Sequence, residues 1–225
     1  MSKLAAENEF LDLSDYGRPI AKLLANWLKK TWLTPIHVTL VFGFCGLIAI
    51  YCIWQYHYFL ASFFIILKSI IDAVDGELAR VKNTPSYVGR YLDSVFDITL
   101  NFLFFMTICY VSKTSFWMSL LAFFCIQLQG TLYNYYYVIL RNKSIGGDKT
   151  SKVFEDKSPK ALPGETQKWV NIWFGIYTIV YGIFDKIIHV LDSDAYKVNT
   201  FPNWFMTIVS LYGLGFQLLI IAVML

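Results

Sequence analysis

Between Ile71 and Ile98 lie four aspartates, two glycines and an arginine at helical spacing, in a chain of 225 residues that is 56% hydrophobic. Asp72, Asp75, Gly76, Ala79 and Arg80 fall at i, i+3, i+4, i+7 and i+8, one face of a helix. Gly89, Asp93 and Asp97 fall at i, i+4 and i+8, one face of a second. Asn83-Thr84-Pro85-Ser86 is a turn signal between them. The two helices therefore run antiparallel, and their acidic faces can meet. A charge at the centre of a membrane helix costs roughly 2.5–3.5 kcal/mol on insertion scales. Four acids set among apolar runs need a positive partner.

Those runs are long enough to span a bilayer. They predict spans at about 36–56, 59–82, 87–111, 116–140, 169–191 and 201–225, with polar segments at 141–168 and 192–200. Before them, Ile20, Leu23, Leu24, Trp27 and Leu28 recur at helical spacing opposite Arg18, Lys22, Lys29 and Lys30. A basic amphipathic helix with Trp on its apolar side suits the bilayer interface; the alternative is a helix packed on the protein's own core. The expected fold is thus an all-α integral membrane protein, with six transmembrane helices preceded by an N-terminal interfacial amphipathic helix. Lys and Arg concentrate before the first span, between the second and third, and between the fourth and fifth. The positive-inside rule then puts the acidic stretch, the 141–168 loop and both termini in the cytoplasm. No cleavable signal peptide is expected.

Composition excludes other classes. A formal charge of +3 is too small to argue for nucleic acid. His37, His57 and His189 show no metal-ligand spacing, and Cys45, Cys52, Cys109 and Cys125 read as small buried residues within apolar runs.

An oxygen-only set such as Asp72, Asp75, Asp93 and Asp97 suits a hard divalent cation, Mg²⁺ first, with Mn²⁺ or Ca²⁺ as alternatives. Gly76 and Gly89 each cost about 0.8–1 kcal/mol in a helix relative to Ala; a missing side chain lets a phosphate or ribose approach the backbone. Arg80 offers a planar fork for phosphate oxygens. Glu77 and Arg90 lie off the two faces and read as interfacial charges. The whole set describes a site for a phosphate-bearing ligand; the competing reading is a buried ion-pair network joining two helices.

The pattern Asp72-x2-Asp75-Gly76-x2-Ala79-Arg80-x8-Gly89-x3-Asp93-x3-Asp97 resembles the signature of the CDP-alcohol phosphotransferases at all eight fixed positions over twenty-six residues. The predicted architecture is similar too. Thr34-Pro35-Ile36-His37-Val38-Thr39 resembles the family's Thr-Pro-Asn-x-x-Thr, with Ile36 in place of Asn. The resemblance implies transfer of a substituted phosphoryl group from a CDP-alcohol to the hydroxyl of an acceptor alcohol, with release of CMP. It implies Asp72, Asp75, Asp93 and Asp97 as ligands of Mg²⁺ or Mn²⁺, and Asp97 as general base. Asp72, Gly76, Ala79, Arg80, Gly89 and Thr39 would bind CDP. It further implies a homodimer, and a division into an N-terminal cytoplasmic segment, 1–34, and a six-helix catalytic domain, 35–225.

The alcohols are less constrained. One subgroup uses CDP-diacylglycerol and a small polar alcohol; another uses CDP-choline or CDP-ethanolamine and a lipid alcohol. Members with phosphorylated acceptors often carry a basic residue after the last Asp, where this chain has Ile98. Lys68, one turn before Asp72, either binds an acceptor phosphate or carboxylate or pairs with Asp72 or Asn101. Asn101 extends the Asp93–Asp97 face and either binds acceptor or orients Asp97. Gln127, Gln129, Thr131 and Asn134 suggest interhelical hydrogen bonding. Residues 144–151 lack phosphate-loop spacing, and the 141–168 loop is either a lid or a connector. A cation transporter would spread its acids over several helices, and an inactive scaffold would not need the complete pattern.

Overall fold

The computed structural model describes residue 4 and residues 8–143, 150–152, 155–198 and 200–225. Among the described residues the regular structure is all helical, without strands. The helices are α1 (Arg18–Leu28), α2 (Pro35–Trp54), α3 (Tyr58–Lys82), α4 (Tyr87–Ser112), α5 (Phe116–Lys143), α6 (Gln167–Leu191), α7 (Asn203–Ser210) and α8 (Leu214–Met224). Helices α2, α4, α5 and α6 are long and apolar enough to cross a membrane, and α7 with α8, bent by 44°, makes a fifth candidate. Although α3 has 25 residues, every 18-residue stretch of it contains Lys68, Asp72 and Asp75. With this much apolar helix, the chain is an integral membrane protein.

Local chemistry sets the helix ends near the acidic stretch. Asn83 closes α3 in the left-handed conformation, φ 53°, which Asn tolerates well. Ser86 caps α4 by accepting from the Gly89 N–H at 2.8 Å. Thr34 opens α2, its N–H donating to His37 Nδ1 at 3.0 Å.

Helix α2 packs against both α3 and α4, while α3 and α4 touch each other along little of their length. The acidic faces therefore border a crevice. Two glycines let α2 approach α4. A Cβ at Gly43 would lie 2.7 Å from the Phe96 ring, and one at Gly46 would lie 2.7 Å from a Leu100 methyl. Beneath the crevice, Phe42, Ile53, Ile65, Phe104 and Leu218 form the main apolar core.

Helix α1 buries Ala21 and Ala25 against Val74 and Leu78 of α3. Its large apolar residues point away from the protein, with Leu23 and Trp27 72% and 74% exposed. Just before it, Ser14 wedges into the α7–α8 bend, where a Cβ on Gly215 would come within 1.9 Å of the Ser14 carbonyl oxygen.

Three expectations about the ends of the chain change. The segment after α6 was expected opposite the 141–168 loop, yet it lies beside the C-terminal end of α5. Tyr135 and Tyr136 donate at 2.8 Å to the carbonyl and the carboxylate of Asp192, and Lys143 Nζ reaches the Val198 carbonyl. The other end of α6 packs Val170 against Tyr87 and Tyr91 at the start of α4. Both ends of α6 thus lie on the side of the acidic stretch, and the helix runs obliquely. In consequence the last helix ends on the other side, where Ser62 donates to the Ala222 carbonyl at 2.6 Å. The single span expected over 201–225 is the bent pair α7–α8.

Of the cysteines, Cys45 and Cys52 are buried, but Cys125 is exposed and Cys109 half-buried. Gln217 on α8 donates to the Ile126 carbonyl at 3.2 Å and to Gln129 at 3.4 Å, an interhelical bond of the kind expected. Residues 144–149, most of the stretch compared with a phosphate loop, lie outside the described residues.

Candidate active site

The crevice is lined from α3 by Asp72, Asp75, Gly76, Ala79 and Arg80 and from α4 by Gly89 and Asp93, all half-buried. It deepens toward Asp97, Asn101, Lys68 and Thr39, which are buried. Asp72, Asp93 and Asp97 converge, each offering one carboxylate oxygen within 4.8 Å of the others. Asp75 stands outside this trio, and its Oδ2 accepts from the hydroxyl of Thr39 on α2.

The charge is only partly offset by the protein. Lys68 is fully buried and forms an ion pair with Asp97. The expected partners were Asp72 or Asn101; the relative depth of α3 and α4 selects Asp97 instead. Asp93 Oδ1 is buried without a hydrogen-bond partner. A buried carboxylate oxygen left unpaired costs its full desolvation penalty. Three converging carboxylates, one with an orphaned oxygen and all with hard donor atoms, fit a divalent cation such as Mg²⁺ or Mn²⁺.

Arg80 lies at the shallow end of the crevice. Its guanidinium passes over Gly76, both Nη atoms lying 3.7 Å from where a Cβ would stand. Gly89 has a local reason as well, since a Cβ there would meet Ser86 Oγ at 3.1 Å.

Three acids that the motif does not contain complete the surroundings. Glu77, expected at the interface, is buried and pairs with both Arg80 and Arg18. Its i, i+3 spacing to Arg80 was a visible signal; the partner on α1 left none. Arg90, also expected at the interface, is instead held among aromatic rings. Its Nη2 lies 2.6 Å from Glu155, and its guanidinium carbon lies 4.5 Å from the centre of the Tyr91 ring. Glu165 sits at the start of α4, accepting from Ser86 Oγ at 2.7 Å and from the N–H groups of Val88 and Tyr87 at 2.8 and 3.2 Å. A negative charge there complements the helix dipole. The described part of the α5–α6 segment is thus fastened to the helix that carries Asp93 and Asp97. A cavity of about 450 Å³ lies elsewhere, between the N-terminal segment, α1 and Tyr137 of α5.

No curated protein matches the chain. The family model described as CDP-alcohol phosphatidyltransferase matches residues 32–155, which include α2, the crevice and all eight motif residues. That match covers more than half of the chain, which therefore belongs to the CDP-alcohol phosphatidyltransferase family.

Proposed function

We propose that the chain transfers a substituted phosphoryl group from CDP-diacylglycerol to the hydroxyl of a small acceptor alcohol, releasing CMP. Family membership makes it a transferase of phospholipid biosynthesis that uses a CDP-alcohol donor. The observation that carries the finer reading is the convergence of Asp72, Asp93 and Asp97 around an orphaned carboxylate oxygen, within one crevice that also holds Arg80. Asp72, Asp93 and Asp97 would hold Mg²⁺ or Mn²⁺, with Asp75 beside them, and a cation held there would supply positive charge against the donor phosphates and the departing CMP. Arg80 binds a donor phosphate, and Gly76, Ala79 and Gly89 leave its path clear. Thr39 holds Asp75 in place.

The acceptor hydroxyl attacks the phosphorus bonded to the alcohol of the donor. A new P–O bond forms as the P–O bond to CMP breaks, and Asp97 takes the hydroxyl proton. Lys68 and Asn101 lie deeper on the same two faces, where they meet the acceptor. Positioning and charge, more than covalent help from the protein, carry such a transfer.

We place α2 to α6 and the α7–α8 pair in the bilayer, with α6 oblique and α1 at the interface. The acidic end faces the cytoplasm, on the strength of the Lys and Arg flanking it. The protein works as a homodimer, as its family resemblance implies.

The test is CMP release by purified protein with Mg²⁺ or Mn²⁺, crossing CDP-diacylglycerol and CDP-choline or CDP-ethanolamine with their acceptors. Asp97→Asn should lower turnover by about 10²–10⁴, the usual contribution of a general base, while CDP still binds. Near-normal CMP release from that variant would remove Asp97 from the role, and no release by the unaltered protein with any pair would point to a scaffold.

A further inference from the structure

Glu77 belongs to no fixed position of the acidic pattern, yet it is only 2% exposed. Burying a carboxylate is costly unless it is paired and hydrogen-bonded. Its two oxygens are taken up by two arginines from different helices. Arg18 Nε on α1 donates to Oε1 at 3.1 Å. Arg80 Nε donates to Oε2 at 3.3 Å, and Arg80 Nη2 lies 2.9 Å from Oε1. Glu77 therefore holds Arg80 through the Nε hydrogen bond, with Nη2 in ion-pair contact but without a hydrogen bond of its own. Among the described residues Arg80 Nη1 makes no hydrogen bond, and it lies over the bare backbone of Gly76. One edge of the fork is anchored, and the other is presented to the crevice.

The charges are arranged to keep that edge useful. Two guanidinium groups share the Glu77 carboxylate, and Arg18 also lies 3.5 Å from Asp15. Because Arg18 draws on the same carboxylate, Glu77 offsets the charge of Arg80 only in part. Nearby stand Asp75 and Asp72, about one and two turns back on the face of α3 that carries Arg80. An unanchored Arg80 would fold back onto them, losing the cation from the phosphate side and occupying carboxylate oxygens.

We infer that Glu77 is a positioning residue that aims Arg80 at the donor pyrophosphate, with Arg18 tuning the pair and coupling α1 to the site. The inference rests on the proposed contact between Arg80 and the donor. Anchoring one edge in advance means that less side-chain freedom is lost when the phosphate binds.

The test is calorimetric binding of CDP with Mg²⁺ to purified protein in detergent, with thermal unfolding measured alongside. Glu77→Gln should weaken CDP about tenfold, in keeping with the loss of a hydrogen bond to a charged group. Arg80→Ala should weaken it at least as much. Because Glu77 acts through Arg80, the double variant should bind within about twofold of Arg80→Ala alone. A purely structural Glu77 would lower the melting temperature and leave CDP affinity intact, and that result overturns the inference; so does an additive double variant. If Glu77→Gln does not accumulate folded, Arg18→Gln carries the test. It removes the share of Glu77 that Arg18 takes and should weaken CDP about threefold, as expected for a partly exposed ion pair; unchanged affinity overturns the inference. Arg80→Ala binding CDP like the unaltered protein would instead overturn the donor assignment of Arg80, and the inference with it.

Discussion

Lys68 carries the sharpest electrostatic burden of any residue in the crevice. It is fully buried, and its ammonium is paired with Asp97, which in turn has a carboxylate oxygen within 4.8 Å of oxygens from Asp72 and Asp93. Breaking a buried pair by removing one partner typically costs about 3–5 kcal/mol, because the charge left behind is uncompensated. Lys68→Met should therefore melt well below the unaltered protein in metal-free detergent, and millimolar Mg²⁺ should recover more of its stability than it adds to the unaltered protein. Thermal unfolding with and without Mg²⁺ measures this; a Lys68→Met protein that melts normally without metal would remove the pair from the site's support. How far this was legible differs from residue to residue. The convergence of Asp72, Asp93 and Asp97 follows from 3.6-residue spacing on two helices joined by a short turn. That Lys68 is exceptional follows from a cation inside an apolar run. Its partner did not follow, because spacing within α3 and α4 says nothing about their relative depth. Glu77 shows the same limit, since Arg18 is 59 positions away.

At the scale of elements, α4 depends on a cap that its own sequence does not contain. Ser86 caps it locally, but Glu165, 77 to 79 residues further on, takes the Ser86 hydroxyl and the first N–H groups of the helix. Cap residues are worth about 0.5–2 kcal/mol. Glu165→Ala should cost that much in stability and loosen the segment before α6. Limited digestion with trypsin should then cut faster after Lys157 and Lys160, both exposed. Unchanged cleavage would mean that Glu155, on Arg90 and Tyr91, is enough to hold the segment. Helix ends such as Thr34-Pro35 and Asn83 to Ser86 were readable because capping and turn chemistry are local. The break between α7 and α8 was not. Gly213 and Gly215 stand there, but the bend makes sense only once Ser14 is seated on it, 201 positions away from Gly215.

The whole molecule turns on which side of the membrane α6 ends. Alternating spans predicted that 192–200 lies opposite the acidic stretch. The hydroxyls of Tyr135 and Tyr136 and the ammonium of Lys143 instead draw Asp192 and Val198 to the end of α5. Hydropathy shows that α6 is apolar; it cannot show the direction in which an apolar helix lies. The distribution of charge agrees with the oblique course. Lys197 joins the basic side, leaving Lys113 at the α4–α5 turn as the basic residue of the other. Single cysteines in a background lacking Cys45, Cys52, Cys109 and Cys125 decide the matter, at Thr84, Thr114 and Ser193, which are all exposed. In sealed cells a membrane-impermeant maleimide should label Thr114→Cys and spare Thr84→Cys and Ser193→Cys, both of which should react after lysis. Labelling of Ser193→Cys together with Thr114→Cys would restore six alternating spans and send α6 across the bilayer. Labelling of Thr84→Cys and Ser193→Cys without Thr114→Cys would turn the whole protein over and move the acidic crevice away from a cytoplasmic supply of CDP-alcohol.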